Sequence, residues 1–162
     1  MTLPPAPRLW RDGEGEALWF LGNFLTVKVG GEQSRGRLTV IDFVNPPGFA
    51  PPLHRHEHEE EVFYVLEGAA TFLCDGREIA AVPGDLVHLP AGLPHTFIVD
   101  DAAPLRVLQI TTPAGFEDFA REAGEPAGAL SLPTVPPTAE QIGALMGIAP
   151  RYDMEILGPP PA

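Results

Sequence analysis

One cysteine, Cys74, in 162 residues leaves no partner for a disulfide, so burial alone has to hold the fold together. No apolar run approaches the ~20 residues that cross a bilayer. The opening residues, Met1-Thr-Leu-Pro-Pro-Ala-Pro-Arg8, lack the basic-then-apolar order of a secretory signal. These features predict a cytoplasmic protein without membrane contact. Positive charge is also scarce: 10 Lys and Arg against 22 Asp and Glu give a formal charge of −12. That balance repels phosphates, and no helix-turn-helix segment is legible, so nucleic acid is not an expected partner. The acidity itself reads as a solubility feature.

Glycine and proline are abundant, at 17 and 20 residues. They cut the chain into short β-branched and aromatic stretches, which predict strands over 17–21, 24–29, 37–44, 61–66, 69–74, 77–81, 86–89, 96–99 and 105–111. Asp75-Gly76 marks a tight turn. Turns at this density predict an all-β sandwich or barrel. Residues 1–16 read as an arm over the surface. Beyond Pro113 the pattern changes. Phe116, Phe119 and Ala120 at helical spacing predict a helix over 115–123, stopped by Gly124. Residues 126–137 read as a loop or extended crossing. Thr138 is placed to cap a helix over 139–146 with Ile142, Leu145 and Met146 on one side, closed by Gly147. A short strand is expected over 152–157. The length suits one domain, 1–162, with a β core of about 17–112 and a helical extension of about 113–162.

The chemistry-bearing residues lie in two Gly- and Pro-framed segments. The first reads Gly48-Phe-Ala-Pro-Pro-Leu-His54-Arg-His56-Glu-His-Glu-Glu-Glu61-Val-Phe-Tyr-Val-Leu-Glu-Gly68, the second Gly84-Asp-Leu-Val-His-Leu-Pro90-Ala-Gly92-Leu-Pro-His95. A strand sends alternate side chains to opposite faces, so His54 and His56 project together. Glu61 opens the next strand, and His95 has to arrive from a neighbour. Three imidazoles and a carboxylate suit one divalent transition metal such as Fe, Mn, Co, Ni, Cu or Zn. Singly, each has a plainer reading: a surface or structural histidine, and a solvated acidic turn at Glu57, Glu59 and Glu60.

Together the two segments resemble the two motifs of the cupin superfamily, over Gly48 to His95. The resemblance implies a double-stranded β-helix, a small jelly-roll-like barrel with short C-terminal helices. It implies His54, His56, Glu61 and His95 as metal ligands. Spacing to Gly68 selects Glu61 over Glu60. Gly48, Gly68, Gly84 and Gly92 fall where the family turns sharply. The family often has an asparagine where this chain has Val99, which makes the expected cavity more apolar. Phe63 and Val65, in phase with Glu61, and Phe97 and Val99, in phase with His95, are the expected pocket walls. His58 is read as exposed or supporting, His88 as structural and Cys74 as a buried inert thiol.

The chain looks most like quercetinase-type cupins, through Glu61-Val-Phe-Tyr-Val-Leu-Glu-Gly68 and the run Thr111-Thr-Pro-Ala-Gly-Phe-Glu-Asp-Phe119. That implies a metal-dependent dioxygenase acting with molecular oxygen on a flavonol-like or other aromatic or enolic small molecule, with Glu61 as the base. It also implies a homodimer, in line with the frequency of two-fold assemblies. The alternatives are a non-oxidative cyclase, isomerase or decarboxylase using the metal as a Lewis acid, and a non-catalytic small-molecule binder.

Overall fold

A computed structural model of the chain describes residues 6–161. In chain order the strands are β1 (Glu16–Phe20), β2 (Asn23–Val29), β3 (Thr39–Asn45), β4 (Leu53–His56), β5 (Glu60–Glu67), β6 (Ala70–Cys74), β7 (Arg77–Ala81), β8 (Leu86–Leu89), β9 (His95–Val99), β10 (Leu105–Thr112), β11 (Glu125–Pro126) and β12 (Met154–Gly158). The helices are α1 (Gly31–Ser34), α2 (Phe116–Ala123) and α3 (Ala139–Ile148), with a 3-10 turn at Ala149–Tyr152. The strands form two antiparallel sheets, one ordered β11-β1-β2-β3-β10-β5-β8 and the other β12-β4-β9-β6-β7. The fold is the expected all-β one.

Alternation fixes which face of each strand is buried. Glu61, Phe63 and Val65 on β5 point inward, as do His95, Phe97 and Val99 on β9 and Leu105, Val107, Gln109 and Thr111 on β10. A register slip of one residue would turn each of these sets to solvent. Phe63, Phe72 and Phe97 meet between the sheets with ring centroids 5.3–6.0 Å apart. The turn at Asp75-Gly76 joins β6 to β7 with positive φ at both residues, as a two-residue hairpin needs. Gly68 has φ 75°, and a Cβ there would collide with the Pro104 carbonyl.

The C-terminal elements belong to the site as much as the barrel does. β12 pairs with β4, setting Ile156 opposite His54 and Met154 opposite His56. Helix α2 brings Phe116 and Phe119 edge-on to Phe20, at 6.0 and 5.5 Å. Its Glu117 carboxylate accepts from the Gly31 and Gly115 amides and the Thr39 hydroxyl, tying the helix to the β2–β3 connection.

Several local expectations shift. The third strand begins at Thr39 rather than residue 37, because the Gly30-Gly31 break opens the short helix α1. Glu125–Pro126, in the stretch read as a crossing, pairs with β1. Helix α3 starts on its Thr138 cap, whose hydroxyl accepts from the Gln141 amide at 3.2 Å, but it runs past Gly147 to Ile148. Of its three apolar residues only Leu145 is buried; Ile142 and Met146 are 50 % and 62 % exposed. The helix is apolar around much of its circumference and rests on α2 and the 3-10 turn by one face only. No helix among the described residues is long and apolar enough to cross a membrane.

Candidate metal centre

The four motif side chains arrive from both sheets. β4 and β9 are neighbours, with His54 opposite His95, and β5 delivers Glu61 from the facing sheet. One donor atom from each of His54, His56, Glu61 and His95 lies within 4.8 Å of every other. Glu61 Oε2 is 2.7 Å from His95 Nε2 and 3.4 Å from His56 Nε2. His56, Glu61 and His95 are buried and His54 is half-buried.

Each imidazole is oriented through its other nitrogen. His54 Nδ1 donates to the Pro52 carbonyl at 2.7 Å and His95 Nδ1 to the Leu93 carbonyl at 2.9 Å. A carbonyl only accepts, so the Nδ1 positions carry the protons and the Nε2 positions offer lone pairs. His56 Nδ1 is held by Glu59 Oε1 at 2.9 Å. This is the outer hydrogen-bonding pattern that fixes the tautomer of metal-binding histidines. Two further observations fit a cation at the centre. His56 Nε2 is buried with no hydrogen-bond partner. The His95 Nε2 lone pair also confronts the Glu61 Oε2 carboxylate oxygen with no donor between them. A divalent transition metal satisfies both, and N and O donors of this kind suit it.

The electrostatics are set by burial and mutual contact. Burial and the neighbouring His95 and His56 lower the His54 pKa to about 4. Burial opposes charging of His56 as well, but the Glu61 and Glu59 carboxylates outweigh it and raise its pKa. Burial would raise Glu61, yet His56, His95 and His54 hold its carboxyl well below the ordinary range. Glu59 is raised, by burial first, with His56 partly opposing.

Gln109 and Glu59 support the site without being evident from the motifs. Gln109 Nε2 donates to Glu61 Oε1 at 2.7 Å. Its signal was a lone amide at an inward phase of β10, between Val107 and Thr111. Glu59, read as a member of a solvated turn, folds back onto His56 with only 15 % of its side chain exposed. His58 is exposed and outside the cluster. His88 is also exposed and faces Glu60 at 3.0 Å on the outer surface. Cys74 is buried, and burial pushes its thiol pKa up.

A cavity of about 610 Å³ opens beside the cluster, with His54, Glu61, His95 and Gln109 on its wall. Phe63 and Phe97 also line it. Val65 and Val99, at 0 % and 1 % exposure, lie deeper in the core and are not on the wall. Alternation assigns them the inward face, but not a depth along the barrel. Residues 132–137 form part of the wall, as does Ile142 of α3.

A family model described as a cupin domain matches residues 42–111, a span that contains all four converging side chains. Quercetin 2,3-dioxygenase of Bacillus subtilis is 32% identical over 120 residues, covering 74% of this chain and 35% of that enzyme. The chain thus spans about a third of the enzyme's length. Among solved structures, an RmlC-like cupin from Shewanella frigidimarina superposes with a TM-score of 0.57 at 20% identity, over 72% of this chain and 99% of that one. The polyketide cyclase RemF from Streptomyces resistomycificus gives 0.54 at 24% identity, over 66% and 79%. At those identities the structural likeness speaks for the fold alone. Barrel, motifs and family match agree: the chain belongs to the cupin superfamily.

Proposed function

We propose that His54, His56, Glu61 and His95 ligate one divalent transition metal, and that the protein is a metal-dependent dioxygenase of an enolic or phenolic aromatic small molecule. The observation that carries this reading is the convergence of the Nε2 atoms and Glu61 Oε2 beside a cavity walled largely by phenylalanine and proline. The metal, when bound, supplies Lewis acidity toward the substrate's enolic oxygen and, if redox-active, a means of engaging dioxygen. The chain's residues do the rest. His54, Glu61 and His95 face the cavity, whereas His56 is not on its wall, so substrate approaches on the side away from His56. Glu61 would loosen from the metal and then accept the substrate's hydroxyl proton on Oε2. Gln109 holds the other carboxylate oxygen during that transfer. Phe63 and Phe97 contact the ring system, with Val65 and Val99 packed behind them. The reading includes a homodimer in the cytoplasm.

The test is oxygen uptake by protein of known metal content, measured with a panel of flavonols and quinols. Uptake in step with substrate loss supports the proposal. Turnover that proceeds equally without oxygen overturns the dioxygenase and leaves a Lewis-acid cyclase, isomerase or decarboxylase on the same residues.

A further inference from the structure

We infer that the cavity selects neutral, sparsely hydroxylated aromatic substrates with a single enolic or phenolic head group, and disfavours anionic or polyhydroxylated ones. This deepens the proposed function and rests on it for where the head group binds.

The wall carries its polarity in one place. His54, Glu61 and His95 converge there, and Gln109 touches Glu61. Elsewhere among the described lining residues the only polar side chain is Thr134, and none is Lys or Arg. Seven of the chain's nine phenylalanines line the cavity, including Phe49 from the loop before β4 and Phe116 and Phe119 from α2. Residues 132–137 add Pro133, Pro136 and Pro137, which have no backbone N–H to donate.

The consequences follow from desolvation. A second anionic group on the ligand would lie against an apolar wall with no Lys or Arg to pair it, in a chain of net charge −12. An added phenolic hydroxyl would leave water for a surface almost without side-chain partners. A flat ring system meets phenylalanine faces and edges instead, and the volume suits a ligand of several fused or linked rings.

The experiment is anaerobic equilibrium binding to metal-loaded protein, followed by flavonol absorbance. The probes are 3-hydroxyflavone, quercetin, which bears further phenolic hydroxyls on its outer rings, and a 3-hydroxyflavone bearing a ring carboxylate. Quercetin should bind about 10-fold more weakly than 3-hydroxyflavone, and the carboxylate about 100-fold more weakly. Thr134→Arg, at an exposed wall position, should narrow the affinity gap between the carboxylate and 3-hydroxyflavone by about 10-fold, and an unchanged gap counts against the inference. Equal or tighter binding of quercetin or of the carboxylate by the unaltered protein overturns the inference, even if flavonols are consumed with oxygen. Tight, selective binding of 3-hydroxyflavone without oxygen uptake overturns the dioxygenase reading and leaves the selectivity standing. Failure of all three probes to bind overturns both.

Discussion

Gln109 and Glu61 form a buried pair across neighbouring strands, the amide donating to Oε1 at 2.7 Å while Oε2 turns to the imidazoles. The division of labour between the two oxygens orients the carboxylate for single-oxygen ligation. Gln109→Leu should therefore weaken metal binding about 10- to 100-fold, the usual consequence of losing such an outer partner. Competition against a chelator of known affinity measures it. Circular dichroism should show the fold retained, since leucine fills the site. Unchanged affinity would mean that the amide serves packing only.

His56 and His58 sit two residues apart, yet the structure separates them completely. His56 is buried with an unpartnered Nε2, while His58 is exposed and outside the cluster. His56→Ala should reduce bound metal at least about 10-fold, with metal content read by elemental analysis. His58→Ala should leave it unchanged. Loss of metal in the His58 variant would show that the chain between β4 and β5 folds differently.

These two residues also mark where sequence and structure part. The alternation of Glu61, Phe63 and Val65 and the spacing from Gly48 to His95 are local, so the faces of β5 and β9 and the four donors were legible. The partners were not. Gln109 reaches Glu61 because β10 lies beside β5, with Gln109 opposite Phe63 and Thr111 opposite Glu61. A register between strands more than 40 residues apart leaves no short-range mark. Glu59 is within a few residues of His56, but its turn back to Nδ1 depends on the bend before β5. Val65 and Val99 show the converse: their inward phase was readable, whereas their distance from the cavity depends on the strands' tilt and packing.

Acid should destabilise the metal-free protein through His54. Its folded pKa, about 4, lies below the ordinary value of 6.5, so the unfolded chain takes up the proton first. The stability it contributes is full above 6.5 and is lost as pH falls toward 4. Glu61, also depressed, adds loss in the same direction at lower pH, below its ordinary value of 4.5. His56 is raised and acts oppositely, its contribution fading as pH rises through its folded pKa. Thermal melts of chelator-treated protein should thus show a falling midpoint between pH 6.5 and 4, with a shallower fall in His54→Leu. Equal slopes in the two proteins would remove His54 as the cause.

Metal retention should follow a different residue. Coordination requires neutral imidazole, and His56 is the one whose neighbours, Glu61 and Glu59, favour its protonation. Acidification should therefore release metal through His56 before His54 is protonated. Glu59→Gln removes one of the two carboxylates that stabilise His56 in its charged form. Half-release, followed by elemental analysis after dialysis across the acid range, should move to lower pH in that variant. A shift to higher pH would mean that Glu59 acts mainly by orienting the ring.

Glu117 offers a way to disturb the cavity without touching the donors. Its buried carboxylate gathers two amides and the Thr39 hydroxyl, and those bonds hold its pKa down against burial. Glu117→Ala leaves the Gly31 amide and the Thr39 hydroxyl without their acceptor and the Gly115 amide with only its 3.4 Å contact to Thr39 Oγ1, at a stability cost of about 2–4 kcal/mol. The anchored helix carries Phe116 and Phe119, both on the cavity wall. Loosening it should weaken binding of an aromatic ligand by about 10-fold, since the wall loses its fixed faces. Glu117 bonds to none of the four donors, and α2 reaches them only through Phe116, whose ring lies 6.4 Å from that of His56, so metal content should fall far less than ligand affinity. Calorimetric melting, ligand titration and elemental analysis on one preparation separate these effects. Loss of metal together with stability would mean that α2 and the metal centre unfold as one unit.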